Sequence, residues 1–273
     1  MKLKFYPFLK TLAVLTCLSP FVVLGLSLTD FGAVPALTKP QGDQSAANQK
    51  LDFHTDLFTG RFGYQIPIEA PPARGGAGPN VALQYSSGNK NGWCGVGWDL
   101  DFGYIQRETR YGIPIPVGGS SYSDTYSFTF SFAGYSGRLV SVGAGVYYPQ
   151  INTAFLKFVY SNGWWTVTDK GGQKYCFGET SDARIASGLG TFKWGLSSIH
   201  DPNGNLTQVS YTTDSGQLYL REIDYNGSTS SPAIATNCAI IFDLESGNRT
   251  DVNSSVIAGS EIITQNDCKT SGC

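Results

Sequence analysis

The sequence predicts an all-β protein of mostly antiparallel strands and hairpins, forming a curved sheet or shell-like β-sandwich, with helix minor outside the N-terminal segment. Three observations carry that expectation. Aromatic residues are abundant and charges sparse: 15 Tyr, 16 Phe and 5 Trp stand beside only 15% charged residues, a mixture that suits pleated, half-buried surfaces. Apolar and polar residues alternate with a period of two in segment after segment. Between those segments recur Asp-x-x-Gly and Asn-Gly turns, and the 33 glycines supply the positive φ that tight hairpins need. No stretch beyond the N-terminus sustains a 3.6-residue apolar period with caps at both ends.

The chain opens with Lys2, Lys4 and Lys10, followed by an apolar run from Thr11 to Leu28 that Pro20 and Gly25 interrupt. A basic start, an apolar middle and a small-residue exit, at Val34-Pro35-Ala36 or Gly25-Leu26-Ser27, read as a signal peptide over 1–36. The competing reading is an uncleaved anchor, because the run is near the minimum for spanning a bilayer; Pro20 and Gly25 weaken such a helix. Cys17 is a bystander within this run. Export follows, with an extracellular or cell-surface destination and no membrane contact for the mature form. Residues 37–57 are polar and read as a flexible leader, and 58–273 as the β domain.

From Phe58 the strands follow in order. Tyr64, Ile66 and Ile68 alternate, as do Val81, Leu83 and Tyr85; Pro67 places the first of these runs at an edge or a bulge. YIQRETRYG comes next. Tyr126, Phe128, Phe130 and Phe132 share one strand face with Ser and Thr on the other, and Gly134 and Gly137 bracket the turn beyond. VYYPQINTAFLKFVY continues the pattern. WWTVTDKGGQKYCFG is strand, turn at Asp169–Gly172, strand. In FKWGLSSIHDPNGNLTQVSYTT the turn is Asp201-Pro202-Asn203-Gly204-Asn205; Trp194 and Leu196 are in phase and Ile199 is not, so a bulge precedes the turn. LYLREIDYNG ends at Asn226-Gly227. AIIFDLESGNRTDV and SEIITQ read as strands around a turn at Ser246-Gly247-Asn248.

Charge and chemistry narrow the function. Cutting after Ala36 removes Lys2, Lys4, Lys10 and Asp30, which leaves the remainder more acidic than the whole chain's −2. That balance, with no lysine-rich run, argues against nucleic acid and against a membrane-surface patch. Cys94, Cys176, Cys238, Cys268 and Cys273 follow the cut; they either form disulfides, with one left over, or serve as buried apolar side chains. No CxxC pair supports a zinc site. Of two histidines, His54 falls in the leader and His200 abuts a turn, with no triad partners in view. Asp201–Asn205 echoes a calcium loop, but Leu206 and Thr212 stand where its Gly and Glu belong. Gly75, Gly76 and Gly78 after Arg74 lack the Gly-Lys-Ser/Thr of a phosphate loop; they let the chain turn after Pro71-Pro72, with Arg74 as a bracing donor or a ligand contact. Asp99 and Asp101 beside Trp98 are a candidate carboxylate pair for glycan hydrolysis, or a solvent-facing strand edge. Trp164-Trp165 is a candidate stacking surface of which one ring at most is exposed.

The order of the motifs is more specific than any one of them. Gly63-Tyr64, Ile66-Pro67-Ile68, Pro71-Pro72, Arg74-Gly75-Gly76, Pro79-Asn80, Tyr85-Ser86 and Gly95-Val96-Gly97-Trp98 resemble the opening of the SpvB-type N-terminal domain, found in secreted bacterial virulence proteins and in component B of insecticidal toxin complexes (Tc toxins). Trp194, Leu196, Ile199, Asp201, Gly204-Asn205, Leu218-Tyr219-Leu220, Ile223 and Tyr225-Asn226 resemble its later part, and Ile241-Phe242, Asn248-Arg249 and Asp251 the stretch after that. Asp169, Gly172 and Tyr175, with Asp201, Gly204-Asn205 and Tyr211, resemble the YD-repeat (RHS) hairpin.

The resemblance implies a non-catalytic structural module, needing no cofactor and no metal. It would be the N-terminal part of a β shell that encloses a C-terminal toxic effector, and its partner would be a downstream RHS/toxin-complex polypeptide or effector segment. An ADP-ribosyltransferase segment, present in some relatives, needs a Glu-x-Glu loop, and no such triplet occurs here. The resemblance also implies that the chain stops where relatives continue. The alternative is a self-contained secreted β domain that binds a surface glycan or protein; a glycan hydrolase is the remaining reading.

Overall fold

The computed structural model describes residues 53–55, 60–76, 78–89, 91–100, 102–125, 127–245, 249, 251–257 and 260–268. The signal segment, Asp101, Tyr126 and the turn expected at 246–248 lie outside them. The all-β expectation holds: among the described residues helix is confined to two single 3-10 turns, at Arg74–Gly76 and Ser181–Ala183.

A four-stranded antiparallel sheet opens the fold, in the order β1-β2-β3-β6. Its strands are β1 (Phe53–Thr55), β2 (Phe62–Pro67), β3 (Ala82–Ser86) and, beyond a short ribbon of β4 (Asn91–Gly92) with β5 (Gly95–Val96), β6 (Trp98–Asp99). β1 falls within the segment expected to be a flexible leader, and corrects it there: its three backbones pair with Phe62–Tyr64. β2 is therefore an interior strand at its start. Pro67 lies past the reach of β1 and is paired only with Ala82 of β3, so its missing N–H costs no ladder bond on the open side.

The larger sheet holds β7 (Tyr104–Arg107), β8 (Phe128–Phe132), β9 (Tyr135–Gly143), β10 (Val146–Pro149), β11 (Lys157–Ser161), β12 (Trp164–Thr168), β13 (Lys174–Phe177), β14 (Arg184–Ser187), β15 (Gly190–His200), β16 (Asn205–Asp214), β17 (Gln217–Ser228) and β18 (Cys238–Ile241). β7 through β13 pair in sequence, and β15 pairs with β13 on one side and with β7 on the other. The curved sheet thus closes into a ring of eight strands. β15 is long enough to serve twice, and its second half carries β16, β17 and β18 away from the ring as an extension. Beyond it β19 (Leu244–Glu245) pairs with β22 (Asp267–Cys268), and β20 (Asn253–Ile257) forms a hairpin with β21 (Ser260–Thr264). SEIITQ therefore pairs with the residues just before it, and not with the AIIF strand as the sequence suggested.

Alternation decides what fills the ring. Phe128, Phe130 and Phe132 of β8 point inward and are buried, while Thr129 and Ser131 are half-buried on the other face. Phe158, Trp165, Phe177, Trp194 and Leu196 meet them, so the interior is a packed aromatic core. A second core lies between the opening sheet and the extension, where Val81, Trp93 and Leu100 pack on Tyr219, Ile223, Tyr225 and Ile240.

The expected bulge in β15 is present. Pairing with β13 steps from Leu196–Phe177 to Ser198–Cys176, leaving Ser197 as the extra residue. Its hydroxyl donates to the Cys176 carbonyl at 2.9 Å and accepts the Glu179 N–H at 3.0 Å, so the interruption leaves no polar group stranded.

Two glycines give a test of this packing. Gly178 has φ +66°, and a Cβ there would overlap Trp194 Cδ1; Gly134 has φ +77° with open space around it. Gly178→Ala is expected to cost about 3 kcal/mol, strain plus overpacking, and Gly134→Ala about 1 kcal/mol, strain alone. Urea unfolding followed by tryptophan fluorescence reads the difference.

Candidate functional site

The residues that carry the resemblance are far apart in the chain and meet in space. At the Pro/Gly bend, Arg74–Gly76 forms a 3-10 turn in which Gly75 takes φ +64°, open to glycine at no steric cost. Two residues of β17 hold this bend. The Tyr225 hydroxyl donates to the Pro71 carbonyl at 3.0 Å, and the Arg74 N–H donates to Asn226 Oδ1 at 2.9 Å. The bracing group at Arg74 is thus its backbone N–H. Asn226 itself sits at φ +66° and donates through Nδ2 to Asn237 Oδ1 at 2.7 Å. Burial, with Cys238 beside it, pushes the Tyr225 phenol up to about 12, so it stays a donor across the usual pH range.

The hairpin turns adjoin this bend. A Cβ on Gly75 would lie 3.6 Å from Asn205 Nδ2. Asp201 Oδ1 accepts the Asn205 N–H at 2.6 Å and Oδ2 accepts its side-chain amide at 2.6 Å. Burial works against the Asp201 carboxylate, but hydrogen bonds from Asn205 and Asn203 outweigh it and hold the carboxyl below its ordinary value. Gly204, at φ +85°, packs against Ser230, and its carbonyl accepts the Thr229 N–H at 2.8 Å. In the neighbouring turn, Asp169 Oδ1 accepts the N–H groups of Gly171 and Gln173, and a Cβ on Gly172 would lie 3.4 Å from Pro202. Both turn aspartates are therefore occupied as turn caps. Pro71, Pro72 and Pro79 line a groove of about 320 Å³ together with Ile68, Ala73 and Asn80.

The Gly-Trp loop is held by a second clamp. Gly97 has φ +80° and lies so near the Tyr85 ring that a Cβ would sit 2.6 Å from Cε2. Gly95, at φ +110°, lies beside the Trp98 ring. Tyr64, Tyr85 and Trp98 align across β2, β3 and β6, their rings tilted by 74° (Tyr64 to Trp98) and 59° (Tyr85 to Trp98). Tilted rings pack on one another's edges. At the loop's start Asn91 Nδ2 donates to Asp251 Oδ2 at 2.6 Å and to its carbonyl at 2.8 Å. The buried Arg249 guanidinium donates Nε to Asp251 Oδ1 at 2.8 Å and also bonds the Asn91 side-chain oxygen. Arg249 and Asn91 hold the Asp251 carboxyl down at about 2.

The candidate reactive groups are placed as follows. Ser198 Oγ donates to Glu179 Oε2 at 2.9 Å and lies 3.2 Å from His200 Nε2. Ser198 thus stands between the carboxylate and the imidazole, and its proton goes to Glu179; a nucleophilic triad needs the histidine in the middle. Burial pushes the neighbouring Cys176 thiol up, away from a reactive thiolate. Cys94, Cys176 and Cys238 carry free thiols. Among the described residues no three His, Cys, Asp or Glu side chains gather as a metal site. Asp99 borders a cavity of about 110 Å³ with Trp93, Tyr104, Lys193, Tyr211 and Leu218, where the Lys193 ammonium sits 4.0 Å from the Tyr104 ring centre. Trp165 is fully buried and Trp164 half-buried. Tyr211 donates its hydroxyl to the Leu196 carbonyl at 2.8 Å, tying the extension to the ring.

Sequence reasoning missed Arg107. It is 4% exposed inside the ring, its guanidinium 5.3 Å from the Tyr122 ring centre, 5.1 Å from Phe128 and 5.5 Å from Trp194. It donates to the carbonyls of Thr191 and Ser123 and pairs with Asp124 at 2.7 Å. The available signal was its phase: Ile105 and Arg107 share the inward face of β7.

The described residues thus form an all-β ring with a packed interior, joined by turns whose aspartates cap the backbone. Residues 57–142 match the family model of SpvB, the Salmonella virulence plasmid 65kDa B protein. The mono(ADP-ribosyl)transferase SpvB of Salmonella choleraesuis (strain SC-B67) is 24% identical over 236 residues, covering 76% of this chain and 37% of that protein. SpvB of Salmonella typhimurium (strain 14028s / SGSC 2262) is 27% identical over 192 residues, covering 59% of this chain and 31% of that protein. The chain therefore spans about a third of these curated relatives. The N-terminal domain of effector protein SpvB from Salmonella typhimurium strain LT2 shares the fold with a TM-score of 0.58 at 22% identity, over 74% of this chain and 85% of that one. TcdB2-TccC3 shares it with a TM-score of 0.62 at 20% identity, over 79% of this chain and 13% of that one. The resemblance to the SpvB-type N-terminal domain and to Tc toxins is thus borne out, and the chain shares their fold.

The two clamps are separable by experiment. Each hydrogen bond at the bend is worth about 1 kcal/mol net, so Tyr225→Phe or Asn226→Ala is expected to speed tryptic cleavage after the exposed Arg74 about fivefold. Asp251 acts through its charge: its carboxyl titrates lower when folded than its ordinary value of about 3.9. Its contribution is complete above that value and is lost as pH falls through about 2. The difference in unfolding midpoint between the wild type and Asp251→Asn is expected to shrink from pH 4 to pH 2, where about 4 is the ordinary carboxylate value.

Proposed function

We propose that this chain works without catalysis, as the opening part of a β shell that encloses and delivers an effector borne on downstream sequence. The observation that carries this reading is the disposition of its motif residues. Asp169, Asp201, Asn205, Tyr225 and Asn226 spend their polar atoms on turns and on the bend, leaving the motif a scaffold.

The open edge of the extension supports assembly. β18 ends the large sheet, and among the described residues no strand pairs with its outer side. Unpaired ladder groups on a strand such as Cys238–Ile241 invite a further strand, and we assign that place to a downstream RHS-type hairpin. Tight turns joining successive antiparallel strands, at 169–172 and 201–205, are the same device by which such a shell would grow. Export by the basic and apolar N-terminal segment belongs to this reading, as does an extracellular or cell-surface site of action.

Two measurements test it. The chain from residue 37 onward is expected to dimerise or aggregate with rising concentration in light scattering, and Ile241→Lys at the β18 edge to reduce that association. A wild-type chain that stays a cooperative monomer would count against the open-edge reading. Incubation with NAD and a panel of candidate proteins is expected to leave them unmodified; transfer of ADP-ribose would sink the non-catalytic assignment.

A further inference from the structure

The segment between β7 and β8 is a long connection with an unusual surface. Tyr111, Ile113 and Val117 are 79%, 50% and 107% exposed. Long loops that hold a defined shape in a compact fold are commonly functional, and three large apolar side chains exposed within seven residues are candidates for a contact surface. This loop is held in shape. The Ser123 N–H donates to the Pro114 carbonyl at 3.1 Å, the Gly119 N–H to Pro116 at 2.8 Å, and the Tyr122 N–H to Leu189 at 2.8 Å. Pro114 is buried beneath the tip.

Charge selects the occupant. From Thr109 to Ser123 the one charged side chain is Arg110. The acids at the two roots are each neutralised by an arginine: Glu108 by Arg138 at 2.8 Å and Asp124 by Arg107 at 2.7 Å. This stretch of an acidic chain is therefore apolar and aromatic, with one positive charge at Arg110. Tyrosine, branched aliphatic residues and an arginine are the set that settles at the boundary between headgroups and acyl chains of an anionic bilayer.

We propose that the 109–121 loop is a membrane-contact finger that seats Tyr111, Ile113 and Val117 in the interface of an anionic lipid bilayer. This inference is independent of the β18 edge and of catalysis. It also revises the expectation that the mature form avoids membranes. The finger makes peripheral contact, with the ring standing outside the lipid.

The test must read the loop itself, because the apolar Thr11–Leu28 run of the full chain has its own affinity for lipid. Val117→Trp places a reporter at the tip, and Val142→Trp places one on β9, where Val142 is 63% exposed and removed from the loop in sequence. The full chain is mixed with vesicles of phosphatidylcholine and phosphatidylglycerol whose acyl chains are brominated, and tryptophan quenching is read. Val117→Trp is expected to be quenched at least about twofold more than Val142→Trp. That excess is expected to fall when Arg110→Glu is added, or when phosphatidylcholine is used alone. Equal quenching at the two positions, or none at Val117→Trp, overturns the proposal. So does a concentration-dependent dimer in sedimentation that Ile113→Asp abolishes, which would make a second copy of the chain the occupant.

Discussion

The structure depends on the packing around Trp194. This side chain is fully buried at the centre of the ring, with its indole N–H donated to the Gly163 carbonyl at 2.8 Å. Phe128, Tyr160 and Trp165 surround it with centroids 5.9, 5.8 and 6.0 Å away, and the Arg107 guanidinium lies over its face. Gly178 has no side chain because the indole occupies that space. Trp194 belongs to β15, the strand that both closes the ring and roots the extension. Burial of so large an apolar surface in one place gives the closed ring its stability, because a ring with an empty interior would leave that surface wet.

From that centre the rest of the molecule is tied down by polar contacts at long sequence separation. Tyr225 and Asn226 reach back about 150 residues to the Pro/Gly bend, and Arg249 with Asp251 reaches the Gly-Trp loop. These contacts join segments that are individually irregular and that would otherwise pay conformational entropy with little return. The consequence for function is direct. Asp169, Asp201 and Asn226, which look reactive in a linear reading, are engaged in holding backbone; exposed apolar side chains lie elsewhere, at Tyr111, Ile113 and Val117.

Much of this was legible in the sequence. The alternation in FTFSF correctly assigned the inward face of β8, the Asp-x-x-Gly and Asn-Gly turns correctly placed the hairpins at 169–172 and 201–205, and the phase slip at Ile199 announced a bulge before the turn, which the pairing puts at Ser197. Those features are local, set by a period of two and by the φ that a turn demands. Failures came where the partner was distant. Phe53–Thr55 is polar in its surroundings and short, so nothing nearby marked it as a strand; its pairing with β2 did. SEIITQ was given the wrong neighbour because any alternating run fits several partners. Arg107 was overlooked because a charge on an inward face looks like a break in the pattern until its ring of aromatic and carbonyl partners is seen.

By itself, then, the sequence determined the strand content, the turn chemistry, the aromatic core and the likeness to the SpvB-type opening, since each is encoded in residues a few positions apart. Only the tertiary structure decided that the curved sheet closes into eight strands through β15. It also decided that the bend is gripped by Tyr225 and Asn226 and that Tyr111, Ile113 and Val117 are exposed. Closure, clamping and exposure depend on which strands meet after hundreds of rotatable bonds have been fixed together. Neither residue period nor turn propensity carries that information.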